Sequence, residues 1–203
     1  MTRRGPPANR DVRRRPPDVR ILALDPGHKL GWAVDGEAPG SLVTGTEILP
    51  GKAPDNGRTF LHFEDWLFNM IDVHKPNVLA WEAPIIFGGA KGSTTPTNHF
   101  AIHFAIAISA IAELAGERTG LDCWQAPLGT VRHHFCGDGK AKKDAVYAKC
   151  LDMGWPVKGL DAADATAIWD LCAHVYRRDK LIPGPLFAKR VSLSRPAPEL
   201  EGT

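Results

Sequence analysis

Long hydrophobic runs, paired cysteines and nucleotide-loop signatures are all scarce in this 203-residue chain, and each absence removes a class of protein. The most apolar stretch, Phe100 to Ala112, is interrupted by His103 and Ser109 and falls short of the roughly 20 residues that span a bilayer. No membrane role is expected from it. Cys123, Cys136, Cys150 and Cys172 stand too far apart for a CxxC knuckle, and no secretory leader precedes them, so free thiols in a reducing cytoplasm are expected. Gly88 to Thr94 is glycine-rich, but Lys91 comes before Gly92, whereas a phosphate loop needs Gly-Lys-Ser/Thr in that order. A mobile loop is the first reading of this segment, and contact with a polyanion the second.

Charge of either sign is also nearly absent in the sum. The formal net charge is +2, yet the first 20 residues hold seven arginines against two aspartates, which leaves 18 basic and 21 acidic residues in the rest. The basic charge therefore sits in an arm, and the body is slightly acidic. Residues 1–18, with Arg13-Arg14-Arg15 between proline pairs, cannot bury enough apolar surface to fold alone. The arm is read as a solvated tail first and a phosphate-seeking segment second. A length of 203 residues allows one sizeable domain and is short for two. We expect that domain over residues 19–181, followed by a proline-rich tail over 182–203.

Within that span the periodicity alternates between strand and helix. Val19 to Leu24, Gly31 to Val34 and Ser41 to Leu49 read as a three-stranded meander. Phe60, Phe63, Leu67, Met70 and Ile71 fall at helical spacing, and Pro76 closes that helix. Val78 to Trp81 is an uninterrupted apolar run bounded by Pro76 and Pro84, the pattern of a strand buried on both faces. A strand, a crossover helix and a strand imply parallel pairing, which brings the ends of the first and fourth strands to one sheet edge. Asn98 then caps a helix to about Gly116 that is apolar nearly all round, and His99 and His103 on it read as packed or surface imidazoles. Leu121 to Gln125 is a fifth strand, Thr130 to Phe135 a helical turn, Lys142 to Met153 a helix closed by Gly154, and Leu160 to about Arg178 the last helix.

Four carboxylates stand out on this scaffold. Asp25 and Glu82 end buried strands, where an ionised acid costs several kcal/mol unless it is paired, binds a cation or reaches water. Asp161 and Asp164 lie three apart and so share one face of a helix's first turn. Capping would explain acids there, but not the run Ala162, Ala163, Ala165 and Ala167, which lets the helix approach another surface closely. Lys140, Lys142 and Lys143 cluster at a helix start, where the dipole disfavours cations, and are read as phosphate contacts.

With these residues in place, the chain resembles the RuvC family of Holliday junction resolvases. The matching segments are Ile21-Leu22-Ala23-Leu24-Asp25-Pro26-Gly27, Val78-Leu79-Ala80-Trp81-Glu82, Gly139-Lys140-Ala141-Lys142-Lys143 and Asp161-Ala162-Ala163-Asp164-Ala165. The resemblance implies an α/β fold of the ribonuclease H-like type, a five-stranded mixed sheet in the order 3-2-1-4-5 with helices on both faces. It implies Asp25, Glu82, Asp161 and Asp164 as catalytic, metal-binding acids, and a DNA-facing set of Lys140, Lys142 and Lys143, to which Phe87, Lys91 and Arg132 are added. The chain differs in a shorter loop between Asp25 and Gly31 and in Ala83-Pro84-Ile85-Ile86-Phe87, where Phe87 is only roughly in register with the family's junction-probing aromatic.

Four acids on one edge cannot all ionise at neutral pH without cations. Hard oxygen ligands suit Mg²⁺, with Mn²⁺ as a substitute, and two ions about 3.5 to 4 Å apart serve phosphodiester hydrolysis. The expected activity is an endonuclease that makes paired nicks in Holliday junctions or related branched DNA as a homodimer, leaving 5′-phosphate and 3′-hydroxyl ends, in the cytoplasm of a bacterial or phage-infected cell. The competing readings are a YqgF-type RNA-processing nuclease and a non-catalytic nucleic-acid-binding protein. An actin-like ATPase half would need a second domain for which the chain has no room.

Overall fold

The computed structural model describes residues 19–38, 40–51, 56–84 and 99–177. The expected arm at residues 1–18, Phe87, Lys91, the glycine-rich loop, the Asn98 cap and the tail at 182–203 lie outside the described residues. Ten elements follow in the order β1 (Ile21–Asp25), β2 (Lys29–Asp35), β3 (Leu42–Ile48), α1 (Gly57–His74), β4 (Val78–Glu82), α2 (His99–Thr119), β5 (Asp122–Ala126), α3 (Leu128–Cys136), α4 (Lys143–Asp152) and α5 (Leu160–Arg177). The strands form one mixed sheet in the order β3-β2-β1-β4-β5, as the resemblance implied.

Side-chain alternation along the central strands sorts the core into two layers. Leu22, Leu24, Leu79 and Trp81 pack on Phe63, Leu67, Phe104 and Ile108 of α1 and α2. Ile21, Ala23, Val78 and Ala80 pack on Phe135, Val146, Ala163, Ala165 and Ile168 of α3, α4 and α5. Helices thus cover both faces, and β1 and β4 are buried on each side because every residue must meet one layer or the other. Asp25 continues the parity of Ile21 and Ala23, and Glu82 that of Val78 and Ala80. Both acids consequently leave the sheet on the α5 side.

β1 and β4 run parallel with Leu24 opposite Trp81, while Asp25 lies opposite Gly31 of antiparallel β2. Helix α1 stops where Lys75 adopts the left-handed conformation and returns its N–H to the Ile71 carbonyl at 2.9 Å, one residue before Pro76. Helix α2 runs past Gly116 to Thr119, beyond the expected end; Gly116 is a packing position and not a stop, since a Cβ there would lie 2.0 Å from Cys123 Sγ. At this full length α2 has the length and composition of a membrane-crossing helix, where the shorter stretch fell short. One of its faces is nonetheless occupied by the sheet: Phe104, Ile108, Ala112 and Ala115 are buried, and Trp81 donates to Ser109 Oγ at 3.0 Å. Its other face shows Phe100, Ile106 and Leu114 to solvent.

Candidate active site

Three elements deliver the four acids to the carboxyl end of β1 and β4. Close approach of α5 makes this meeting possible. A Cβ added at Gly31 would fall 1.9 Å from the Asp161 carbonyl oxygen and 2.4 Å from its carbon, so the first turn of α5 presses directly on β2. Ala162, Ala163, Ala165 and Ala167 are all buried at this contact, and Thr166 Oγ satisfies itself on the Ala162 carbonyl at 2.7 Å. Residues with longer side chains in that stripe would hold the helix off the sheet. Gly31 was a site residue the sequence reading passed over. A glycine inside a strand is the signal that would have found it.

The acids surround an ammonium. Lys143 Nζ, at the start of α4, lies 2.7 Å from Asp164 Oδ2, 3.4 Å from Asp25 Oδ2 and 3.3 Å from Asp161 Oδ1. Lys29 reaches Asp161 from the solvent side at 3.7 Å. Asp164 is 5 % exposed, so a charge there without a partner would be strongly unfavourable. The three lysines expected to face DNA together therefore part company. Lys143 turns inward to the carboxylates, while Lys140 and Lys142 stay exposed at the same helix start. Arg132 of α3 is half-buried and close enough for its charge to act on Glu82, and its Nε has no hydrogen-bond partner among the described residues.

Burial raises the Asp25 carboxyl from an ordinary 3.8 to about 6, against the pull of Lys143 and with help from the Asp164 charge. Glu82 rises further, from 4.5 to about 7, first by burial and then by repulsion from Asp25 and Asp164, with Arg132 and Lys143 opposing. For Lys143, burial works against the charge, but the hydrogen bond to Asp164 and the Asp25 carboxylate outweigh it and push its pKa up. Lys143 at the centre, with Lys29 and Arg132 at the edges, still leaves fewer cations than acids. The site retains a demand for positive charge at neutral pH.

As they stand, no three Asp, Glu, His or Cys side chains among the described residues converge tightly enough to grip one metal ion. The Lys143 ammonium is the cation on which three of the acids converge instead. The donor set still suits a hard divalent cation, because it consists of carboxylate oxygens, two of them on acids whose ionisation is held back by burial and mutual repulsion. The thiols do not contribute to such a site. Cys123, Cys136, Cys150 and Cys172 are free, and burial pushes Cys123 up to about 11 and Cys150 to about 12, which leaves them protonated and unreactive. His99 and His103 are exposed on α2, and His103 meets the Phe60 ring edge-on at 5.9 Å.

No protein-family model matches the chain, and no curated protein matches it in sequence. Similar solved structures do exist. RuvC from Thermus thermophilus is 17 % identical with a TM-score of 0.56, over 80 % of this chain and 96 % of that one. The same protein in complex with a Holliday junction substrate gives 16 % identity and a TM-score of 0.58 over 80 % and 96 % of the two chains. The yeast mitochondrial Holliday junction resolvase Ydc2 gives 12 % identity and a TM-score of 0.51 over 79 % and 82 %. The sheet order, the helical layers and these likenesses together establish that the chain has the ribonuclease H-like fold of the RuvC-type resolvases.

Proposed function

We propose that this protein is a divalent-metal-dependent endonuclease of branched DNA, cutting four-way junctions by paired nicks as a homodimer. The observation that carries this reading is the gathering of Asp25, Asp161 and Asp164 around a single half-buried lysine, with Glu82 held up to about 7 beside them. A purely structural cluster has no reason to bury more acid than base. Support also comes from the fold, shared with RuvC solved in complex with a Holliday junction substrate and with Ydc2, named as a Holliday junction resolvase.

Asp25, Glu82, Asp161 and Asp164 would hold Mg²⁺, or Mn²⁺ in its place. Divalent ions held by these acids would supply activation of a water and stabilisation of charge on the leaving 3′ oxygen, and the expected ends are 5′-phosphate and 3′-hydroxyl. The chain's own residues orient and insulate: Gly31 and the alanine stripe fix Asp161 and Asp164 against the sheet, and Trp81, bonded to Ser109, fixes the strand that ends in Glu82. Exposed Lys140 and Lys142 stand at the rim for phosphate. The stripe of Phe100, Ile106 and Leu114 on α2 suits an isologous contact that presents two sites to two strands.

A panel of matched four-way, flap, fork and linear duplexes, incubated with Mg²⁺, tests the reading. Junctions and other branched forms are expected to be nicked symmetrically and linear duplex spared. Equal cutting of linear duplex removes branch selectivity, and cutting of structured RNA in preference to DNA favours the RNA-processing alternative. Light scattering at micromolar protein checks the dimer, and a monomer removes the paired-nick mechanism.

A further inference from the structure

One cation at the site is held too loosely to belong to the fold. Lys29 opens β2, and alternation along that strand puts Lys29, Gly31, Ala33 and Asp35 on one face and Leu30 and Val34 on the other. Leu30 and Val34 pack in the layer of α1 and α2, and Ala33 in that of α5, so Lys29 stands on the α5 side with the acids. Gly31, two residues on, already lies under the Asp161 backbone. Lys29 is therefore about 7 Å nearer the end of the strand than the point where α5 presses on the sheet. Its side chain is 66 % exposed.

Lys29 Nζ lies 3.7 Å from Asp161 Oδ2, whereas the other oxygen of that carboxylate, Oδ1, faces Lys143 Nζ at 3.3 Å. Two ammoniums thus bracket one acid, Lys143 from among the carboxylates and Lys29 from solvent. They differ in what else they hold. Lys143 also meets Asp25 and Asp164, while Asp161 is the one ion-pair partner of Lys29 among the described residues. A separation of 3.7 Å is too long for a hydrogen bond, and an exposed pair of this kind is worth little to the fold. The Lys29 charge is consequently free to serve something else, because a flexible four-carbon stem lets the ammonium turn from the carboxylate to an oxygen outside the protein.

We propose that Lys29 is a positioning residue for the DNA strand being cut, and that its ammonium takes the phosphate next to the scissile one on the β2 side of the acids. This rests on the nuclease reading and adds to it a backbone contact from a strand that carries none of the four acids. A phosphodiester brings negative charge toward a group with more acids than bases, so the strand needs cations beside the site as well as in it. Lys140 and Lys142 stand at the start of α4, and Lys29 supplies the charge at the other oxygen of Asp161. The scissile phosphate must face the acids together, whereas Lys29 meets Asp161 alone; its reach therefore falls on the neighbouring phosphate. An ammonium suits that task, since it binds an oxygen as a point charge. Such a contact fixes the register of the strand and reads no base.

The test uses the full chain and four-way junctions in which one phosphate at a time, on either side of the cut, is replaced by an uncharged methylphosphonate. Cleavage is followed in single turnover with Mg²⁺, and binding by gel shift without divalent cation. At one position next to the cut, the wild type is expected to lose about tenfold in cleavage rate, the size of one charge-assisted contact. Lys29→Ala should cut the all-phosphate junction about tenfold more slowly and lose nothing further at that position. Lys29→Arg should recover most of the rate together with the penalty, and Lys142→Ala should keep the wild-type penalty there. Exposure of the Lys29 side chain makes loss of the fold an unlikely cause of any of these changes. A lysine that only shields Asp161 would slow every junction alike, so a wild-type methylphosphonate profile in Lys29→Ala overturns the contact alone. Cleavage of the all-phosphate junction by Lys29→Ala at the wild-type rate does the same. A wild-type protein that neither retains nor cuts branched DNA overturns the nuclease reading, and the contact with it.

Discussion

The two ends of α5 treat buried aspartate in opposite ways. At the carboxyl end, Asp35 of β2 has each oxygen satisfied: Oδ1 accepts from Arg177 Nη2 at 2.6 Å and Oδ2 from the Ile21 amide at 2.7 Å. Arg177 also donates to the Val19 carbonyl at 2.9 Å and lies over the Trp169 ring at 5.2 Å. One acid meets one base, and the contact binds the helix to the first strands. At the amino end, by contrast, three acids share Lys143 and a fourth stands beside them with its pKa raised. Balanced burial marks a structural clasp, whereas three carboxylates on one ammonium are the imbalance on which the proposed metal site rests. The clasp serves the site, because it holds the far end of the helix whose near end carries Asp161 and Asp164.

Substitutions at each end should therefore have opposite consequences. The largest is expected from Glu82→Gln, which should reduce Mg²⁺-dependent junction cleavage by more than about a hundredfold, since loss of even an outer partner of a metal ligand costs ten- to a hundredfold. DNA binding, read by gel shift, should persist. Cleavage at the wild-type rate would remove Glu82 from the site. Asp35→Ala should act the other way: removing one partner of a buried pair costs about 3 kcal/mol, a fall of roughly 6–12 °C in Tm for a domain of this size. A Tm lowered by less than 2 °C would mean that Asp35–Arg177 is no clasp.

Gly31→Ala lies between the two. Its methyl would collide with the Asp161 backbone, so a loss of about 1–3 kcal/mol is expected, together with a fall in cleavage as Asp161 and Asp164 are displaced. Full activity at unchanged Tm would show that α5 can retreat without disturbing the acids.

A smaller effect should appear in the pH dependence. The folded-state pKa values of Asp25 and Glu82, about 6 and 7, lie above their ordinary 3.8 and 4.5. Between about pH 4 and 7 the unfolded chain releases these protons first, so the native state binds more of them and stability falls as pH rises. Glu82→Gln removes one such penalty. It should match the wild type in Tm near pH 4 and exceed it by a few degrees at pH 8 without divalent cation. Adding Mn²⁺ at pH 8 should then raise the wild-type Tm more than that of the variant. A difference in Tm that does not change with pH would contradict this account.

The smallest effect concerns the lysines outside the cluster. Lys140→Ala and Lys142→Ala should each weaken binding equally for all DNA sequences and reduce the salt slope by about one unit. Lys143→Ala should instead lower stability without metal, because it exposes Asp164 as an unpaired buried charge. An unchanged salt slope in the Lys140, Lys142 double variant would leave those two as solubility charges.

Much of this was readable before any coordinates. The end of β4 at Glu82 and the parallel pairing of β1 with β4 follow from apolar runs, helical spacing and proline punctuation, while the strand order was implied by the family resemblance. These signals are local or depend on one chirality rule, so a linear string carries them. The four acids were legible for the same reason: each ends a buried run or shares a helical turn. Helix ends were less so, as α2 shows, since Gly116 reads as a stop and in fact serves a contact with Cys123.

What the sequence by itself determined, then, is which residues are buried, which elements they build and which acids stand at the ends of those elements, because burial and periodicity are written in residue order. The tertiary structure alone decided which cations meet those acids. Lys140, Lys142 and Lys143 look alike in sequence, and only the packing of α4 on α5 turns Lys143 to the carboxylates and leaves the others outside. It alone also decided that Gly31 admits the Asp161 backbone and that Lys29 stands beside the Asp161 carboxylate. Such contacts join positions far apart in the chain, and their energies depend on distances and desolvation that no spacing of residues encodes.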